Sequence, residues 1–131
     1  MDIQQFQQQD TRYKDLYMFL KSKQYDVATP AERVGDCLSP YIVIRHSGSA
    51  QVSLLSTDED IYDIMIYVPR NAYTQLEVLQ QKIKKDMQEV QDIFKPRRSN
   101  LASFYDDSIK AHMLSMSYGN YKLILRNFKE E

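Results

Sequence analysis

Apolar residues along this chain follow two patterns, one stepping by three or four positions and one stepping by two. From Tyr13 they recur at Leu16, Tyr17 and Leu20, which predicts an amphipathic helix running to about Gln24, with Asp10 and Thr11 as N-cap types ahead of it. The same step returns at Leu76, Leu79, Ile83, Met87, Val90 and Phe94, with Gln81, Lys84, Lys85, Gln88 and Gln91 between them. A second helix is therefore predicted from about Ala72 to Phe94, about 35 Å long at 1.5 Å per residue. Pro96 stops it.

The step of two is clearest from Ile61 to Val68. Tyr62, Ile64, Ile66 and Val68 are all apolar, whereas the alternate set is Ile61, Asp63, Met65 and Tyr67. A strand places these sets on opposite faces, so the even set is the expected core face. Tyr41 to His46, β-branched and following Pro40, predicts an earlier strand, and Gln51 to Ser56 a weaker one. Ser47-Gly48-Ser49 has turn composition, and Thr57-Asp58-Glu59-Asp60 that of an acidic loop. Asp26 to Glu32 is expected to be loop or a short edge strand. Two last strands, Ser108 to Tyr118 and Tyr121 to Arg126, are expected about a hairpin turn at Gly119-Asn120. In the first of them, Ile109, Ala111 and Met113 compete with Leu114, Met116 and Tyr118 for the buried face.

The order α, β, β, β, α, β, β predicts an α+β two-layer sandwich, with a mainly antiparallel sheet of four or five strands and two helices on one face. One domain is expected over 1–131, with 1–9 and 127–131 as loose tails. Composition narrows this reading. At 131 residues and 43% apolar the chain can bury one core. Lys plus Arg number 17 and Asp plus Glu 18, a near-balance that argues against a surface wrapped in nucleic acid. Cys37 is the single cysteine, which excludes an intramolecular disulfide and a cysteine zinc cluster and points to a cytosolic setting. Met1 to Phe6 has no basic region followed by an apolar run, and no apolar stretch approaches the roughly 20 residues of a membrane helix, so no membrane partner is expected.

Catalytic chemistry is sparse. His46 and His112 both fall in predicted strands, and Asp106 or Asp107 could complete a metal site with them. Two unrelated histidines are the favoured reading. Cys37 with either His would form a nucleophile–base pair, but nothing around it supports one. Asp58, Glu59, Asp60 and Asp63 lack the glycine and the spacing of a calcium loop. No catalytic, cofactor or metal residue is assigned, and no cofactor is expected. Lys95, Arg97 and Arg98 cluster after the second helix, where cations complement its negative end. They are also the candidates for contact with phosphates or an acidic partner. Both helices are spent on one sheet face, which leaves the other expected bare. Tyr41, Val43, Met65 and Tyr67 lie on that face with Arg45 and Asp63, and are the candidate protein interface.

Several phrases in this order resemble the tail terminator, or tail completion, proteins of long-tailed bacteriophages and prophages. They are Pro40-Tyr41-Ile42-Val43-Ile44, the strand Ile64 to Pro69, the long helix from Tyr73 to Phe94, and Lys110-Ala111-His112-Met113-Leu114-Ser115-Met116-Ser117-Tyr118. The likeness spans roughly residues 10 to 125 and is one of pattern and size. It implies a non-enzymatic virion protein of the tail and neck, present in the host bacterial cytoplasm during assembly. Such a protein forms a ring with itself, typically a hexamer, and joins the tail tube to the head connector. Another neck or minor capsid protein is the first alternative. A small DNA-associated module using the loop at Lys95 is the second, and a small enzyme using His46 and His112 is the last.

Overall fold

The computed structural model describes residues 12–53, 57–97 and 103–123. Helix α1 spans Tyr13–Ser22, strand β1 Val27–Ala28, β2 Tyr41–Ser53 and β3 Thr57–Pro69. Helix α2 spans Thr74–Met87 and tightens into a 3-10 turn at Gln88–Val90; β4 Lys95–Arg97, β5 Phe104–Asp106 and β6 Ala111–Leu123 follow. The fold is α+β: a six-stranded mixed sheet in the order β1-β2-β3-β6-β4, with β5 also on β6. Among the described strands only β1 runs parallel to its neighbour, β2. β4 and β5 pair with separate stretches of one side of β6, Ser117–Gly119 and Ala111–Met113.

The even-numbered face of β3 is the core face, as its alternation requires. Tyr62, Ile64, Ile66 and Val68 are fully buried with Ile42 and Ile44 of β2 against Leu16 and Leu20 of α1 and Leu76, Ile83 and Met87 of α2. β6 contributes Met116 and Tyr118 to this layer, and Leu114 packs at its border, which settles the parity of that strand. Tyrosines tie the helix layer to the sheet through their polar ends. The Tyr13 hydroxyl donates to Ile44 O at 2.5 Å, and the Tyr62 hydroxyl accepts Arg12 N–H at 2.7 Å; the Tyr25 hydroxyl, just after α1, instead ties that segment to α2 by donating to Asp86 at 2.5 Å.

Several expectations need correction. α2 is shorter than its apolar stripe, because the chain leaves the helix axis after Met87 and turns Phe94 edge-on to Tyr62 at 5.8 Å. Ser47-Gly48-Ser49 is no turn. It lies within β2, where Ser47 is the extra residue of a bulge between His46 and Gly48, and Gly48 takes φ 141°. Thr57 to Asp60 is not a loop but the start of β3. Gly119-Asn120 is not a hairpin turn either, since β6 runs straight through both, opposite Ile61 and Asp60 of β3. Leu54 to Ser56, Ile124 to Arg126, the N-cap candidates Asp10 and Thr11, and the two tails lie outside the described residues.

Candidate interaction surface

The second sheet face carries the candidate interface, and it is not bare. Residues 29–40 form a strap that leaves β1 and crosses this face before entering β2. The strap is pinned along its length. Thr29 N–H donates to Glu32 at 2.8 Å, Arg33 pairs with Asp26, and Cys37 N–H donates to Ile109 O at 2.7 Å. Beneath it a small second core gathers Ala28, Cys37, Tyr41, Val43, Met65 and Ala111. Tyr41, Val43 and Met65 are only 8%, 7% and 8% exposed, so these three cannot be the surface expected of them. The reason is that a loop can cover a narrow sheet face without a helix.

Cross-strand register makes the rest of this face a series of rows. Tyr41, Tyr67, Met113 and Phe104 are direct neighbours on four successive strands, β2, β3, β6 and β5. The Tyr41 and Tyr67 rings stack at 5.1 Å, with the Arg33 guanidinium 4.8 Å from the Tyr41 ring. Burial falls along the row: Tyr41 is covered, Tyr67 and Met113 are half-buried, and Phe104 is 52% exposed. The strap adds Val34 and Leu38, each 87% exposed. Phe104 was missed because Phe104-Tyr105-Asp106 is too short a strand to show alternation. Val34 and Leu38 sit in a stretch with no period at all.

Further along, the face turns polar. Asp63 accepts from Arg45 at 2.7 Å, from Ser117 at 2.8 Å and from Ser47. Burial pushes its carboxyl up, but these hydrogen bonds and the Arg45 charge outweigh burial and hold it below the ordinary aspartate range. Next lies Glu59, only 4% exposed, with Arg97 Nε 3.1 Å from its Oε2. The basic cluster is thus divided: Lys95 and Arg97 are on the edge strand β4, Arg97 is engaged by Glu59, and Arg98 lies outside the described residues.

The structure does not assemble the catalytic candidates. His46 stands opposite Tyr62 and His112 opposite Val68, six residues apart on β3, or about 20 Å along a strand. His46 Nε2 lies 3.5 Å from Asp60, whereas His112 Nε2 lies 3.1 Å from Arg70 O between the rings of Tyr73 and Tyr105. Asp106 accepts from Ser108, and Asp107 pairs with Lys110. Asp58 is half-buried at the start of β3 and Asp60 is buried there, accepting from Ser49 Oγ at 2.6 Å. Burial pushes the Cys37 thiol up, and it donates to Ser39 O at 3.3 Å. Among the described residues no group of three His, Cys, Asp or Glu could hold a metal ion. No helix among them is long and apolar enough to cross a membrane. No protein-family model matches the chain, and no curated protein matches it.

Proposed function

We propose that this chain is a non-enzymatic structural protein of a phage or prophage particle, which closes into a ring, completes the tail tube and joins it to the head connector. The sequence resemblance suggests the role. The observation that carries it is the set of exposed apolar groups, Val34 and Leu38 on a strap pinned at Asp26 and Ile109, and Phe104 at the open end of the row Tyr67, Met113 and Phe104. A pinned surface loses little conformational freedom on association, so modest contacts repeated around a ring can hold it. The contact set accordingly moves from Tyr41, Val43 and Met65 to Tyr67, Met113, Phe104, Val34 and Leu38. A DNA-contacting role is less favoured, because Arg97 is spoken for by Glu59.

Native mass measurement and electron microscopy of the purified chain, alone and mixed with tail tubes, test the proposal. Closed rings or capped tubes are expected from the parent chain. Leu38→Asp and Phe104→Lys should abolish both while leaving the circular dichroism of the folded domain intact. A parent chain that stays monomeric and leaves tubes uncapped would overturn the reading.

A further inference from the structure

Glu59 is a buried carboxylate for which the proposed assembly role has no use, and its surroundings are specific. It lies on β3, yet its carboxylate crosses the intervening strand β6 to meet Arg97 of β4. The crossing is open only because residue 119 is glycine. A Cβ there would sit 1.9 Å from Glu59 Oε2. The neighbouring charges are already committed. Asp63 is bound by Arg45, and the Ser117 hydroxyl opposite Arg97 in register donates to Asp63.

β4 itself has little else to hold it. It is three residues long, and Lys95, Pro96 and Arg97 are all exposed. Pro96 has no N–H for the ladder, which only an edge strand tolerates. Between β4 and α2 lies a cleft lined by Gln80, Lys84, Pro96, Arg97, Met116 and Tyr118, so helix packing does not clamp the strand.

We infer that β4 is a releasable edge strand, latched to the sheet by the Glu59–Arg97 ion pair laid through the gap at Gly119. Releasing it bares the Ser117–Gly119 edge of β6. The backbone groups of that edge that pair with β4 then exchange with water. The latch makes its exposure conditional on one ion pair, and ionic strength can weaken that pair because Arg97 is partly exposed. This device is independent of the ring.

Hydrogen exchange on the full chain, read by mass spectrometry, tests the latch. Glu59→Gln removes the charge, and Gly119→Ala drives the carboxylate out of its path. Both should speed exchange at Ser117–Gly119 by at least about tenfold, with Ile64–Val68 still protected as in the parent. For the unaltered chain, raising salt from about 0.05 to about 1 M should move the same amides in the same direction. Parental protection at Ser117–Gly119 in both variants overturns the latch. So does loss of protection throughout β3, which would make the pair a support of the whole domain.

Discussion

The two faces of the sheet are built from the same strands but stabilised differently. On the helix side, α1 and α2 cover Ile42, Ile44, Ile64 and Ile66, and the layer is continuous. On the strap side, a loop with no regular structure covers a small patch and leaves the remainder of the face to polar groups and half-open aromatics. A helix spreads its burial over several turns. A strap does so at a few points, so its removal should open one end of the face without melting the domain.

The sharpest break of this contrast is on the helix side. Ile64→Ala should lower unfolding free energy by about 3–4 kcal/mol, read as a shift of the whole denaturant transition. On the strap side, Met65→Lys places a charge under the strap, where the long stem can reach water by displacing the loop. A loss of about 2 kcal/mol is expected, with new proteolytic cleavage near residues 30–38 and a helix layer still folded. Equal global losses from both substitutions would end the distinction.

The polar stretch of the strap-side face predicts a pH effect of definite sign. Asp63 is held below its ordinary range, so its contribution is present above the unfolded aspartate value of about 3.9 and is lost as pH falls through the lower folded value. Asp63→Asn should cost about 1 kcal/mol at neutral pH, from hydrogen bonds to a charged acceptor. Its stability should also fall less than the parent's as pH drops below about 4. Phe104→Lys has the smallest expected effect on stability, within about 0.5 kcal/mol for a half-exposed ring at the sheet edge. The same substitution should abolish ring formation, so stability and assembly separate at this residue.

Much of the helix side was legible in the sequence. Its step-of-three-or-four stripes and the alternation Tyr62, Ile64, Ile66, Val68 record burial against one continuous layer, and the structure buries the even set completely. The strap side was legible only in part. Tyr41 and Tyr67 were placed on a shared face, and they do stack there. Their covering could not be read, because residues 29–40 have no period and are held by scattered contacts such as Cys37 N–H to Ile109 O. Polar and glycine-containing stretches misled for a related reason. Glu59 and Asp60 look like loop residues until Arg97 and Ser49 are brought alongside, and Gly119 looks like a turn until Glu59 is found lying over it.

By itself the sequence determined the fold class and the face that meets the helices, because these follow from local periodicity. Only the tertiary structure decided which parts of the opposite face are open. It buried Tyr41, Val43 and Met65, left Val34, Leu38 and Phe104 exposed, and turned Arg97 from a free cation into the partner of a buried carboxylate. Those outcomes depend on strand register and on a loop crossing at long range, and neither leaves a period in the chain.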